Sequence, residues 1–451
     1  MPSITFYGAT EEVTGSCYLI RGKKITILVD CGLFQGERFA RAKNYESLPF
    51  GCGEVDHVLL THAHVDHAGR LPKICLEGFV GKIYATAPTL ELTKYLWQDA
   101  LEIMDIEYQE TGRLPLYAAK DAKNAEKFFK PVEYGKKIFL SDTDYAIFYD
   151  AGHILGSSFI ELVIDGKRIV FSGDIGNVHP PIIRETEKLP ENIDLLLCES
   201  TYGNRLHEPP GERRRLLEKT VAQTIKQKGV LLIPAFAVER TQEILYEFNR
   251  MVNAGLIPTV PIFLDSPLAI KITEVFKKDL GFYNHDDQLI AGEGDHDLFN
   301  FPGLRLTQTR LKSKDINSVR PPKIIIAGNG MMNGGRIVYH LERYLPNHNN
   351  TLLIIGYQAA NTTGRKILEG HKWIPLFTRS IPVRARVQAI GGFSAHADQK
   401  KLLSWIGSAK NLKRICLVHG DAENMVAFSA TIAKSLKIPT LIPKYGSGVE
   451  I

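Results

Sequence analysis

The sequence predicts an α/β protein in which one domain is interrupted by another. Three observations carry this. Side chains able to bind metal stand just past strand-like runs in residues 1–205, and again in residues 371–451. Between them, in residues 206–370, strand and helix patterns alternate, as in a parallel sheet covered by helices on both faces. The length, 451 residues, suffices for two or three domains with full cores.

Composition removes several classes of function. Hydrophobic residues make up 44% of the chain and charged residues 23%, the balance of a soluble globular protein. No apolar run approaches the ~20 residues of a membrane span. The N-terminus enters a strand-like segment at once, without the basic stretch and apolar core of a signal peptide, so a cytoplasmic protein is expected. Six scattered cysteines (Cys17, Cys31, Cys52, Cys75, Cys198, Cys416) read as free thiols. A net charge of +5 permits a polyanionic partner without demanding one.

The first 60 residues read as strands over 4–8, 12–20 and 24–32. The third places Asp30 at its end, either as a turn cap or as an acid holding a ligand histidine from behind; the second role is favoured. The run Val58-Leu59-Leu60 then leads into Thr61-His62-Ala63-His64-Val65-Asp66-His67, with a helix expected after Gly69. Alternate side chains of an extended segment share a face, so His62 and His64 point together. Asp66 and His67 fall at the helix start and can serve a second point nearby. Four potential ligands within six residues are hard to explain by packing, and one such loop can feed two metal ions.

Helices are expected over 88–110, with Leu92, Leu96, Trp97, Ala100, Leu101 and Met104 as a core stripe, and over 118–130. A strand over 145–153 ends in Gly152-His153. Asp165-Gly166 marks a hairpin turn, and the strand after it ends in Ser172-Gly173-Asp174. His153 and Asp174 complete a dinuclear set with the first cluster. Another buried strand ends at Glu199, read either as a polar turn residue or as a carboxylate orienting a group at the mouth of the site.

In the middle segment the strands are expected at 230–237, 261–264, 323–327 and 351–355, each followed by a helix. The glycine-rich loop 328–335 opens one of these helices, where free N–H groups suit a phosphate. It lacks the Gly-Lys-Ser/Thr of a nucleotide-triphosphate loop. Arg240, Arg336 and Arg365 lie near strand ends, where ligands of open α/β sheets bind, and are candidates for a nucleic-acid backbone. After a last strand at 383–390 come Phe393-Ser394-Ala395-His396-Ala397-Asp398 and Leu417-Val418-His419-Gly420. The other histidines, His285 and His296 among them, read as structural.

Together the motifs Thr-His-Ala-His-Val-Asp-His67, Gly-His153, Ser-Gly-Asp174, Glu199-Ser-Thr-Tyr-Gly, Phe-Ser-Ala-His396-Ala-Asp and Leu-Val-His419-Gly resemble the metallo-β-lactamase/β-CASP nucleases, in family order and over nearly the whole chain. The resemblance implies a metallo-β-lactamase αββα sandwich with an inserted parallel-sheet β-CASP domain closing over a zinc cleft. It implies two zinc ions, one held by His62, His64 and His153, the other by Asp66, His67 and His419, with Asp174 bridging. The chain looks like the compact bacterial or archaeal type.

The activity so implied is a zinc-dependent ribonuclease. A hydroxide shared by the two ions attacks the phosphodiester and leaves a 5′-phosphate and a 3′-hydroxyl. Asp66 orients the nucleophile. His396 protonates the leaving oxygen or stabilises the transition state, and Glu199 fixes its orientation. Ser394 and Asn329 are candidate phosphate contacts, although many relatives carry small hydroxyl residues where Asn329 stands. Single-stranded RNA is the expected substrate. DNA processing and a small-molecule hydrolase are the alternatives, no membrane partner is expected, and a homodimer is a family-based guess.

Overall fold

The computed structural model describes residues 1–36, 42–284, 297–359 and 361–451; His285 and His296 lie outside these. It divides into two compact units. The first comprises Met1–Pro180, Arg184–Leu206 and His396–Ile451, and the second Pro181–Ile183 and His207–Ala395.

The described residues of the first unit form two seven-stranded sheets. One runs, in spatial order, Gly448–Glu450, Ser3–Phe6, Tyr18–Arg21, Thr26–Val29, His57–Leu59, Lys82–Thr86, Phe129–Val132. The other runs Thr440–Leu441, Ile415–Val418, Leu195–Glu199, Lys167–Phe171, Ser158–Ile164, Tyr145–Asp150, Lys137–Phe139. Each sheet is part antiparallel and part parallel. Their inner faces meet in one apolar layer containing Phe6, Ile20, Val29, Leu59, Phe148, Ile160, Phe171, Leu197 and Val418. Helices cover both outer faces. Ala87–Thr111 buries Trp97, Leu101 and Met104 against the first sheet, while Gln399–Ile406 and Ala422–Ser435 bury Trp405, Met425 and Phe428 against the second. This is the expected αββα sandwich.

Local chemistry accounts for the elements. Helix Ala87–Thr111 starts at Thr86, whose side chain accepts the Thr89 N–H, carries Pro88 in its first turn and ends on left-handed Gly112. Asp165 and Gly166 both have positive φ, 50° and 77°, the two-residue hairpin turn expected from the sequence. The helix expected over 118–130 stops early. Ala119–Ala125 is helical, but Phe129–Val132 is an edge strand, because Pro131 cannot continue a helix and is tolerated at a sheet edge. The strand expected over 12–20 begins only at Tyr18, after a turn with positive φ at Glu11 and Gly15.

In the second unit the strands run in the order Leu304–Leu306, Ile262–Asp265, Lys323–Gly328, Val230–Ala235, Thr351–Ile354, Arg386–Ala389, and every pairing is parallel. Helices Pro210–Lys226, Arg240–Asn253, Pro267–Lys278 and Ile337–Tyr344 accompany them. Residues 371–395, assigned from sequence to the closing segment 371–451, belong here instead. Arg386–Ala389 pairs with Thr351–Ile354, and the hairpin Trp373–Leu376/Arg379–Pro382 packs Ile374, Leu376 and Ile381 into this unit's core.

Candidate metal centre

The ligand candidates all leave strands of the first unit at the same kind of place. His62 and His64 follow His57–Leu59, His153 follows Tyr145–Asp150, Asp174 follows Lys167–Phe171, Glu199 ends Leu195–Glu199, and His419 follows Ile415–Val418. Parallel neighbours end side by side, so their turns converge. Backbone bonds lock the turns together: Ser158 N–H to Thr61 O at 2.8 Å, Cys31 N–H to His67 O at 2.7 Å, and His419 N–H to Ala9 O at 2.8 Å. Two turns approach so closely that only glycine fits. A Cβ on Gly32 would lie 1.5 Å from Asp66 O, and one on Gly176 would lie 1.7 Å from Gly152 O.

Three groups of candidate ligand atoms result among the described residues: His62, His64, His153 and Asp174; Asp66, His67 and His419; and Asp174, Glu199 and His396. In the first, His62 Nε2 lies 3.1 Å from His64 Nδ1, and His153 Nε2 lies 3.3 Å from the same atom. Asp174 Oδ2 is 3.4 Å from His62 Nε2 and 3.5 Å from His153 Nε2. In the second, Asp174 turns its other oxygen, Oδ1, to His67 Nε2 at 3.4 Å, and Asp66 Oδ2 stands 3.5 Å from His419 Nε2. Asp174 thus turns Oδ2 to His62 and His153 and Oδ1 to His67.

The groups fit metal ions on their own chemistry. A tetrahedron with ~2.0–2.1 Å from centre to corner has edges of ~3.3 Å, which is the spacing of the first group. Burial, with neighbouring positive charge, depresses the His62 and His64 pKa values to about 3 and about 4, and holds His153 well below the ordinary imidazole value. All three are neutral imidazoles at pH 7, the form that binds metal. Asp174 Oδ1 and His419 Nε2 are buried without a hydrogen-bond partner, a costly arrangement for polar atoms that a bound cation removes.

Surrounding hydroxyls and acids set the tautomers. Thr61 Oγ1 gives its proton to Asp30 Oδ2 at 2.8 Å, so its contact with His62 Nδ1, 3.1 Å, is accepted from the ring. Thr201 Oγ1 donates to His419 O and likewise accepts from His419 Nδ1, both at 3.1 Å. In both rings Nε2 is left with its lone pair facing inward. Asp30, fully buried, takes the Thr61 N–H at 2.8 Å and lies 2.7 Å from His67 Nδ1. Asp30 therefore faces the ring nitrogen of His67 that points away from Asp174. Burial opposes a charge on His67, but Asp174 and Asp30 overcome it and raise its pKa. Thr61 and Thr201 were missed from sequence. The hydroxyl directly before the His-x-His run was the available signal for Thr61; nothing local marked Thr201.

Beside these groups, His396 Nδ1 lies 3.1 Å from Glu199 Oε2 and 3.8 Å from Asp174 Oδ2. Glu199 is fully buried, and its Oε1 accepts the Ile175 N–H at 2.6 Å. Burial disfavours a charged His396, yet the Glu199 and Asp174 carboxylates outweigh it and raise its pKa to about 9.

The other predicted contacts lie in the second unit, and several are engaged within it. Arg240 is buried and binds Glu243 and the Phe393 carbonyl. Arg336 donates to Asp265 Oδ1 and Thr307 O, both at 2.6 Å, and to Gln308 O at 2.9 Å. Arg365 pairs with Glu369 at 2.7 Å. All three arginines proposed for the nucleic-acid backbone therefore spend donors on their own chain. Asn329 is exposed, and its side-chain oxygen accepts the Met331 N–H at 3.1 Å. Ser394 is buried and its N–H donates to Gly391 O at 2.7 Å.

An αββα sandwich with histidines and a shared aspartate gathered at its strand ends defines a metal-dependent hydrolase. Family models agree in sequence: the metallo-β-lactamase superfamily over residues 10–205, the Beta-Casp domain over 241–367, and the Zn-dependent metallo-hydrolase RNA specificity domain over 380–443. The chain is 37% identical over 445 residues to "Ribonuclease TTHA0252" of Thermus thermophilus, covering 99% of each. It is 31% identical over 455 residues to an "RNase J-like protein" of Methanocaldococcus jannaschii, covering 100% of each. It is 32% identical over 453 residues to the "Transcription termination factor FttA" of that organism, covering 98% of this chain and 70% of the relative. A crystal structure of a protein of unknown function from Enterococcus faecalis V583 shares the fold, with a TM-score of 0.54 at 11% identity over 99% of each chain. The chain belongs to the metallo-β-lactamase/β-CASP nuclease family. Among the described residues no helix is long and apolar enough to cross a membrane.

Proposed function

We propose that this protein is a ribonuclease that uses two zinc ions to hydrolyse phosphodiester bonds of single-stranded RNA, leaving a 5′-phosphate and a 3′-hydroxyl. The observation that carries the reading is Asp174, buried and presenting one oxygen to each of two adjacent ligand groups. His62, His64 and His153 would hold one ion, and Asp66, His67 and His419 the other. When bound, such a pair supplies Lewis acidity toward phosphoryl oxygens and lowers the pKa of water toward neutrality. Five imidazoles, one shared and one unshared carboxylate, and no thiolate suit zinc. The names of the relatives, two of them ribonucleases, favour RNA over DNA.

The chain's own residues supply the rest. Asp66, at the start of the helical turn Val65–Ala68, has a carboxylate kept ionised despite burial by His419 and His67. It orients the attacking water. His396, fixed through Nδ1 by Glu199, delivers a proton to the departing oxygen. The backbone N–H of Ile175 and the Ser172 hydroxyl, which binds the Glu199 N–H at 2.9 Å, keep Glu199 itself in place. The test is cleavage of an end-labelled RNA beside DNA of the same sequence, with and without chelator. Chelator-sensitive RNA cleavage giving 5′-phosphate ends supports the reading; cleavage that survives complete metal removal sinks it.

A further inference from the structure

Three of the exposed aromatic side chains among the described residues belong to the hairpin Trp373–Leu376/Arg379–Pro382 and the helix Ile337–Tyr344 of the second unit. Tyr339 is 62% exposed, Trp373 57% and Phe377 56%. The pleat of the hairpin explains the first strand. Ile374 and Leu376 point into the core beside Ile337 and Leu341, so Trp373 and Pro375 are turned outward, and Phe377 follows in the turn. Phe377 has φ 53°, a region that bulky residues rarely adopt. Its ring lies 4.9 Å from that of Tyr339, on helix Ile337–Tyr344. Large rings left in water sacrifice their burial free energy, and a cluster of them marks a binding surface where a lone one does not.

The charge around them says what binds. Residues 366–384 carry Lys366, Lys372, Arg379 and Arg384 against Glu369, four positive charges less one negative, or +3. The Arg379 side chain is 74% exposed, touching Glu342 at 3.4 Å. A protein-binding patch tends to be depleted of lysine, whereas flat aromatic faces set among cations are what the bases and backbone of a single strand require.

We propose that Trp373, Phe377 and Tyr339 form a stacking platform for single-stranded RNA, a contact surface of the second unit in addition to the metal centre. The proposal rests on the ribonuclease reading for its choice of ligand. It does not depend on catalysis for its test, because the three tryptophans differ. Trp97 and Trp405 are buried, at 1% and 5% exposure, so Trp373 alone can stack on an incoming base.

The experiment is rapid mixing of the metal-loaded protein with poly(U), following tryptophan fluorescence before cleavage begins. Poly(U) is expected to quench the parent protein, less so at high salt, and Trp373→Phe is expected to lose that signal. Trp373→Ala should raise KM for a long RNA by about tenfold, the cost of one stacked base, and leave kcat and the hydrolysis of bis(p-nitrophenyl) phosphate unchanged. Equal quenching of the parent and Trp373→Phe, or an unchanged KM in Trp373→Ala, overturns the platform. Quenching without RNA cleavage supports the platform and removes the ribonuclease reading; cleavage without quenching does the reverse.

Discussion

The strand ends of the two units carry similar side chains put to opposite use. In the second unit, Asp265 is fully buried and completely satisfied. Thr307 Oγ1 and Arg336 Nη1 donate to one oxygen at 2.7 and 2.6 Å, and Ser313 Oγ and His340 Nε2 donate to the other at 2.6 and 2.7 Å. In the first unit, Asp174 is equally buried, but its Oδ1 has no hydrogen-bond partner and imidazole nitrogens crowd around it at 3.4–3.6 Å. A buried acid ringed by donors is a structural hub. A buried acid with an oxygen that makes no hydrogen bond is incomplete without a cation. Residue type alone does not separate the two cases, since both contain His, Asp and a hydroxyl; whether the carboxylate oxygens are satisfied does.

The comparison is broken most decisively at Asp174. Asp174→Ala is expected to abolish RNA hydrolysis and to lower bound zinc, as read by elemental analysis, with the circular dichroism of the parent retained. Full activity in that variant ends the shared-ligand assignment. Next comes His396→Ala, which removes a group beside the ligands and not one of them. Turnover is expected to fall by ~10²–10⁴-fold, the usual worth of a positioned general acid, with both ions still bound. Loss of metal instead would make His396 a ligand. Smaller again is Asp30→Asn, which weakens the support behind His67. Zinc affinity is expected to drop by ~10–100-fold, measured by competition with a chromophoric chelator; an unchanged affinity would return Asp30 to the role of a turn cap.

Much of this was legible in the sequence, for a physical reason. The sandwich announces its ligands because each follows a short buried strand, and a histidine or aspartate there has few packing explanations. The parallel sheet of the second unit announced itself through alternation, and helix Pro267–Lys278 follows its strand as that alternation requires. What escaped were strands only three or four residues long, too short to show a pattern: Phe129–Val132, Lys137–Phe139, Leu304–Leu306 and the first strand of the hairpin, Trp373–Leu376. The arginines were misleading for a different reason. Proximity to a strand end is visible in sequence, but a competing acceptor such as Asp265 or the Phe393 carbonyl is brought up by the fold.

The satisfied hub gives the last and mildest prediction, and it sharpens the contrast through pH. Burial alone would raise the Asp265 pKa, but His340, Ser313, Arg336 and Thr307 overcome it and hold the value at about 2, against an ordinary 3.8. A carboxylate whose folded pKa is depressed contributes stability that is fully present above its unfolded pKa and is lost as pH falls through the folded one. The parent protein should therefore lose thermal stability between pH ~4 and ~2, and Asp265→Asn should be less stable near neutrality by about 1.5–3 kcal/mol, the worth of hydrogen bonds to a charged group. The variant's melting temperature should also depend less on pH across that acid window, while its zinc content at pH 7 stays that of the parent. If Asp265→Asn instead lost metal and kept its stability, Asp265 would belong with Asp174, and hydrogen-bond satisfaction would fail as the feature that distinguishes a site from a scaffold.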